Sequence, residues 1–560
     1  MKVHTIVIAL AAAAAALADP RELGAQAQIP PEIQTEYDKR VAQLNDELVQ
    51  SRATLAQDLR AKKLYVWAHK EYDKILAVRA DHEGARKALG YVRDGSAWAA
   101  GGKAIPTVNR ETTEKELVAE AARYHERLDR LGAAAAERHL AIASWCEKNG
   151  LAEWGKHHRV EAHAFDPASE NVKTALAFET SEIMPVASHP ETVKLFDELR
   201  TGDKDVPLGE IQGDDATWGP DDLKGRMVVV HGKYVGFEST WIGKESNAGT
   251  KGWLEQLARR GDHAYVMAHK HLREKMPENE PRYQFAYLDD YSYKHMTKWA
   301  HLNDSETSYA HLLLPDCRSW RTDRVGRRVS RREEKENPLE DPSHLVPQFV
   351  LTRRLWADKE PDNRDALIEG FGVLAEFIGN QSNTVWCSGG PSTTTGGARQ
   401  DYRQFSAVQA KTLDDYPVSA LFKAGFNSLA REGNGAAKAA SILEWRFAVD
   451  PEGAVSFIRA MADPKVDPES VIRKETGWSV EQFEEHWRRW SIAIAEADFS
   501  AALAAGKTEF RCPNCTHLMT HYDYRAAMIA GVLRSCPSCR KPLPKELQRK
   551  PKNLPKDDGW

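Results

Sequence analysis

Four cysteines near the C-terminus carry the most specific chemical spacing in this chain. Cys512 and Cys515 form one C-x2-C pair, and Cys536 and Cys539 form a second after a gap of 20 residues. Thiolates at that spacing suit a closed tetrahedral zinc site. The metal would supply the folding energy that a segment of about forty residues cannot obtain by burying apolar surface. Two disulfides are the alternative in an oxidising compartment. A redox role fits less well, because two symmetrical knuckles suit a closed structural site. His517 and His521 stand at i and i+4 and could substitute as ligands, but four thiolates already complete the tetrahedron, so they read as surface residues. Cys146, Cys317 and Cys387 are scattered, and the odd total of seven leaves at least one thiol unpaired.

A second group of residues has the types of a metal site without its full set. His344 opens "HLVPQ", and Glu369 follows 25 residues later in "LIEGFGVLAEF". A working H-E-x-x-H helix puts two imidazoles on one face to bind zinc, and its Glu takes a proton from the zinc-bound water. Leu345 stands where that base would be and has no proton acceptor. Gln348 stands at the second His, and a neutral amide is a far poorer zinc donor than imidazole. Two ligands are too few for a catalytic zinc, and losing the base alone costs a factor on the order of 10²–10⁴ in rate. Pro347 is tolerated only in a first helical turn, so the pattern predicts a helix from Ser343 to Trp356. The simplest reading leaves His344 and Glu369 as ordinary buried or capping residues. A site rebuilt with His263, His269 and His271 is the rival, but the i,i+2 spacing of His269 and His271 splays their rings, and the cluster reads as a solvated helix face.

These segments sit in a wider pattern. Residues 225–500 resemble the peptidase-MA-like (gluzincin) domain of exported bacterial proteins. The likeness rests on a short α+β half, the His344 helix, Glu369-Gly370-Phe371-Gly372 beside the family's E-G-x-A segment, and the closing "GWSVEQFEEHWRRW" from Gly477 to Trp490. It implies a zincin-like core in which His344 and Glu369 match ligand positions. Leu345 and Gln348 depart from the pattern, so the resemblance implies a relic in which a catalytic zinc has no complete ligand set. Residues 506–545 resemble zinc-ribbon or rubredoxin-like knuckles; Pro follows the first Cys of each pair, but Thr516 and Arg540 replace the usual Gly.

The rest of the chain must position these groups. "MKVHTIVIALAAAAAALADP" has a Lys followed by an apolar run from Thr5 to Ala18, too short to span a bilayer, leading to the A-x-A sites Ala16-Leu17-Ala18 and Ala25-Gln26-Ala27. Residues 1–27 therefore read as a signal peptide cut at the second site, and the protein as exported to periplasm, cell surface or medium. No transmembrane segment is expected after cleavage. A net charge of −5 over 560 residues gives no ground for nucleic-acid binding. Residues 31–100 read as helix, within an N-terminal helical region at 28–105. "LYVWAHKEYDKILAVRADHEGARKALGY" aligns with "LAEWGKHHRVEAHAFDPASENVKTALAF" at an offset of 87, pairing Trp67 with Trp154. The pattern resembles tetratricopeptide helical hairpins, assigned to 106–185, and two copies are too few for a free-standing solenoid.

Residues 186–224 read as a linker, with Pro, Gly and Asp clusters. Strands are expected at "RMVVVHGKYVGF" and "RYQFAYLDDYSYKHM", the latter turning helical near Asp289-Asp290, and a helix at about 248–275. "RTDRVGRRVSRREEKENPLEDP" reads as a charged loop. "CSGGPSTTTGGARQ" lacks the Lys of a phosphate-binding loop, and residues 546–560 form a basic, Pro-rich tail. The fold class expected is mainly α with an α+β zincin-like core, multi-domain, ending in a small zinc ribbon. The function expected is binding or scaffolding of a peptide or protein partner by an inactive metallopeptidase-like protein. Its rivals are an active zinc peptidase with unorthodox ligands and a purely structural envelope protein.

Overall fold

A computed structural model of the chain describes residues 29–108, 114–201, 228–239, 247–277, 283–288, 311–313, 324–328, 341–356, 365–380, 383, 402–412, 416–424 and 435–504. The expected signal peptide at 1–27, the four C-terminal cysteines with His517 and His521, Cys317, Cys387, the Gly/Ser/Thr-rich segment, the expected helical turn at Asp289-Asp290 and the basic C-terminal segment lie outside these residues. The described chain is mainly helical. None of its helices is long and apolar enough to cross a membrane. It divides into two compact units. The first combines described residues of Met1–Phe178, Ala407–Asp414 and Asp467–Pro551, and the second those of Glu179–Ser406 and Asp415–Val466.

The first unit is built twice over. Helices α1 (Pro31–Ala61), α2 (Tyr65–Val78) and α3 (Glu83–Ala88) are followed by α4 (Glu114–Lys148), α5 (Ala152–Phe165) and α6 (Glu170–Leu176). The offset of 87 extends beyond the aligned hairpins into the long helices before them. At the first turn, Lys63 (φ 61°) and Gly150 (φ 76°) are both left-handed. The next amides close the same bond, Leu64 to the Leu59 carbonyl (2.9 Å) and Leu151 to the Cys146 carbonyl (2.8 Å). Gly takes that backbone without strain, whereas Lys63 bears a cost of about 1–2 kcal/mol. Trp67 and Trp154 are both buried.

The two halves also exchange contacts. Tyr124 of α4 stacks on Trp67 at 5.5 Å, and Tyr37 of α1 meets Trp154 at 4.3 Å. Arg127 pairs with Asp58 at 2.7 Å, and its counterpart Arg40 lies 5.1 Å over Trp145, the counterpart of Asp58. Each long helix thus places its first half in the core of the other repeat, a self-complementary arrangement about a pseudo-two-fold axis. The returning segment brings α15 (Pro468–Thr476) and α16 (Val480–Ala504). Asp467 caps α15 through the Glu469 and Ser470 amides, and Ser479 and Gln482 form a reciprocal capping box before α16. Helix α16 packs on the equivalent helices α2 and α5.

The expectation of helix throughout 31–100 fails at its end. Tyr91–Asp94 (β1) pairs antiparallel with Ala97–Ala100 (β2). Gly95, at φ 60°, is the first of two turn residues, the position at which a type II′ hairpin needs positive φ.

The second unit holds a five-stranded mixed sheet. Its strands are β3 (Val228–His231), β4 (Val235–Ser239), β5 (Tyr283–Leu288), β6 (His311–Leu313) and β7 (Arg324–Arg328), in the order β3-β4-β5-β7-β6. The pairs β4-β5 and β5-β7 are parallel, and the two outer pairs are antiparallel. Helix α8 (Asn247–His271) packs on β3 and β4, and its buried Asp262 accepts the amides of Lys233, Tyr234 (2.8 Å) and Val235 (2.9 Å), fixing the β3–β4 turn. The site helices are α9 (Asp341–Trp356) and α10 (Asp365–Asn380). After them come α11 (Tyr402–Thr412), α12 (Val418–Leu421), α13 (Gly435–Val449) and α14 (Pro451–Ala462).

Three local expectations are corrected in this unit. Part of the expected linker is helix α7 (Pro190–Thr201), because Val193, Phe196 and Leu199 recur every third residue and bury one face. Part of the expected charged loop is β7, whose Phe285↔Val325 register with β5 comes from backbone pairing that its Arg content conceals. Helix α9 starts at Asp341, two residues before the predicted Ser343. Pro347 therefore lies inside it, where packing of α9 between α8 and α10 outweighs the lost amide.

Candidate functional site

The residues singled out on "HLVPQ" and "EGFG" converge. Helix α9 carries His344 and Gln348 one turn apart, and α10 carries Glu369 and Glu376 two turns apart. The helices approach closely because α10 is trimmed by glycine. A Cβ on Gly372 would lie 2.7 Å from Gln348 Cγ and 2.9 Å from the His344 carbonyl oxygen, and one on Gly370 would lie 2.7 Å from Ala439 Cβ on α13. The "EGFG" glycines are thus packing residues that admit neighbouring helices on two sides.

At the contact, the Gln348 amide donates to His344 Nε2 (3.0 Å) and to Glu369 Oε2 (2.9 Å). The two acceptors are themselves 3.7 Å apart. With Nε2 accepting, the His344 proton resides on Nδ1 and is donated to Glu376 Oε2 at 3.2 Å. Asn383 Nδ2 lies 3.5 Å from the same Glu376 Oε2 and donates to the Val373 carbonyl at 2.8 Å. His344 and Glu376 are fully buried, Gln348 and Glu369 nearly so, and Leu345 is buried as packing.

This geometry decides how the residues fit a metal. An imidazole nitrogen held by a carboxylate on its other nitrogen, with a second carboxylate facing it, is a common half of a zinc site. The Gln348 amide N–H lies between those acceptors, and a neutral amide at the third position is a far poorer zinc donor than imidazole. The set does not fit a catalytic zinc. Among the described residues no group of three or more His, Cys, Asp or Glu is arranged to hold a metal.

The rival histidines go elsewhere. The sequence placed His263, His269 and His271 on a solvated face, yet all three are buried, and only Lys270 between the last two reaches solvent, pairing with Glu198 at 2.8 Å. Helix α8 is enclosed on more than one side, so i,i+2 rings are both covered. His263 Nε2 lies 3.0 Å from the Glu198 carbonyl, and His271 packs on the Phe196 and Phe447 rings. Burial lowers the His271 pKa to about 4. The histidines do not join His344 in a site.

Sequence reasoning missed two buried polar networks in the first unit, one in each repeat. In the first, Glu71 accepts from Arg52 (3.0 Å), Lys74 (2.7 Å) and Tyr124 (2.7 Å). Glu485 of α16 pairs with Arg52 (2.9 Å), Lys74 (2.9 Å) and Arg489 (2.8 Å). Burial pushes both carboxyls up, but the Lys74 and Arg52 charges prevail at Glu71, and those charges with Arg489 hold Glu485 well below the ordinary value. In the second repeat, the positions of Arg52, Glu71, Lys74 and Tyr124 hold His139, His158, Glu161 and Tyr37. His139 Nδ1 lies 2.9 Å from His158 Nδ1, whose ring reaches the Tyr37 hydroxyl through Nε2 at 3.1 Å. Glu161 accepts from Trp478 Nε1 at 2.6 Å, and burial raises its pKa. His486 of α16 donates through Nδ1 to the Ala164 carbonyl at 3.0 Å. The offset of 87 was the available signal, but it had to be carried from the hairpins into α1 and α4. Cys146, in the same core, is a buried free thiol that burial pushes up to about 11.

No protein-family model matches the chain, and neither a curated protein nor a solved structure matches it.

Proposed function

We propose that this is an exported metallopeptidase-like protein that has given up hydrolysis and binds or scaffolds a peptide or protein partner. The reading takes the mixed sheet with α9 and α10 as a zincin-like α+β core and Cys512, Cys515, Cys536 and Cys539 as a structural zinc ribbon. The observation that carries it is the Gln348 amide seated between His344 Nε2 and Glu369 Oε2. Two residues at ligand positions of the resembled family face one another across a short gap, and a neutral hydrogen-bond donor satisfies both acceptors. Such a site keeps the helix packing of an enzyme while removing the Lewis acid, and Leu345 removes the base.

The test is metal content in a chain whose four C-terminal cysteines are replaced by Ser. The expected result is less than about 0.1 zinc per chain, rising to about one in Gln348→His, which restores the third nitrogen or oxygen ligand. Adding Leu345→Glu should then give measurable peptide hydrolysis. Zinc bound by the Ser-substituted chain and lost on His344→Ala would establish an active site with unorthodox ligands instead. With the cysteines intact, about one zinc per chain is expected, released as the thiolates are titrated by a mercurial reagent.

A further inference from the structure

The two repeats hold α16 by different chemistry at equivalent positions. On the α2 side, Arg52 and Lys74 grip Glu485 in an ion network. On the α5 side, the positions of Arg52 and Glu71 are histidines, and α16 is held through His486 to the Ala164 carbonyl and through the preceding Trp478 to Glu161. The rings pack together, with His139 on Phe165 at 5.4 Å, and His486 at 4.9 Å from both Phe165 and Trp478.

We propose that this second half of the unit is an acid-sensitive catch, in which protonation of the His139–His158–His486 cluster loosens α16 from α5 while the Arg52–Glu71–Lys74–Glu485 network keeps it on α2. The geometry leaves little room for added protons. The facing Nδ1 atoms of His139 and His158 share one hydrogen at 2.9 Å; a second would set one N–H against another or leave a charged ring in the apolar core.

The surrounding groups offer little compensation. From α1 come Tyr37 and Arg52, and α5 supplies His157 and Glu161. Helix α16 supplies Glu485 and Arg489. Glu161 is 3.9 Å from His157 and already accepts from Trp478, and Glu485 is committed to Arg52, Lys74 and Arg489. Arg489 donates to the Phe165 carbonyl at 3.3 Å, placing a positive charge near His486. Burial, then neighbouring positive charge, lowers His158 and His486 to about 3 and His139 well below its ordinary value.

Amide hydrogen exchange on the full chain at pH 7.5 and pH 5.0, corrected for intrinsic rate, tests the catch. Helix α5 and the Trp478–His486 segment should exchange at least about tenfold faster at pH 5.0, with α2 changing by less than about twofold. Unchanged α5 protection, or equal loosening of α2 and α5, would overturn the proposal. The variant His139→Gln/His158→Gln should flatten the pH response of α5. Should that variant fail to fold, the wild-type comparison of α2 with α5 still decides the matter.

Discussion

Replacing Glu71 with Ala tests whether the charged network of the first repeat holds that half of the unit together. Glu71 is fully buried and accepts hydrogen bonds from Arg52, Lys74 and Tyr124 at 2.7–3.0 Å. Around it three cations, Arg52, Lys74 and Arg489, face two carboxylates, Glu71 and Glu485. The substitution leaves three buried cations sharing one carboxylate and strips the Tyr124 hydroxyl of its acceptor. Breaking a buried pair from one side costs about 3–5 kcal/mol, a large part of the roughly 5–15 kcal/mol that holds a domain folded. Because the chain has two units, a single global unfolding energy is the wrong readout. The opening energy of α2 amides by hydrogen exchange reports this site directly. We expect Glu71→Ala to lower it by about 3–5 kcal/mol, and the equivalent His158→Ala to lower that of α5 by about 1–3 kcal/mol, since only neutral bonds and packing are lost. A loss below about 1 kcal/mol at Glu71 would refute the account, showing that water reaches the cations and screens them.

The pH dependence follows from the signs of the shifts. His158 and His486 have folded pKa values of about 3 against 6.5 unfolded, so their contribution is complete above pH 6.5 and falls as the unfolded chain takes up protons. At pH 5 this amounts to about 2 kcal/mol per ring, readable as a lower thermal midpoint between pH 7 and pH 5. Glu71 and Glu485, held below the ordinary 4.5, contribute above that value and lose their effect only in stronger acid. Two glycines separate helix propensity from packing. Gly252→Ala in α8 meets nothing within 4 Å and should gain up to about 1 kcal/mol. Gly372→Ala meets Gln348 and the His344 carbonyl and should lose about 1–3 kcal/mol in chemical denaturation followed on α10.

Much of this arrangement was legible where the physics is local. Apolar period and turn residues located the hairpins, β5 and α8, and the strand-like "RMVVVHGKYVGF" without the turn that splits it into β3 and β4; the spacing from His344 to Glu369 anticipated two facing helices. The losses occurred where tertiary contacts overrule local pattern. Pro347 reads as a helix start, yet α9 passes through it because neighbours on both sides bury its face. His269 and His271 read as a solvated face because i,i+2 spacing points their rings to different sides, and are buried because α8 is covered on more than one side. The exchange of Tyr37 and Tyr124 between repeats has no local signature; Tyr124 serves the core around Trp67, and Tyr37 the core around Trp154.

The duplicated unit also explains why its chemistry was hard to read from one copy. Equal spacing preserves the positions while the residues diverge: Arg52 becomes His139, Glu71 becomes His158 and Lys74 becomes Glu161. Neither triad resembles the other by type, but both lie beneath the same helix and both are closed by a tyrosine from the opposite repeat. The same logic applies at His344. There the amide of Gln348 satisfies two buried acceptors, so α9 and α10 pack with His344 Nε2 and Glu369 Oε2 both hydrogen-bonded. A buried polar position constrains the number and direction of its hydrogen bonds more tightly than the identity of the residue. What the two repeats share is the satisfied geometry, and it identifies their related positions more reliably than the amino-acid letters do.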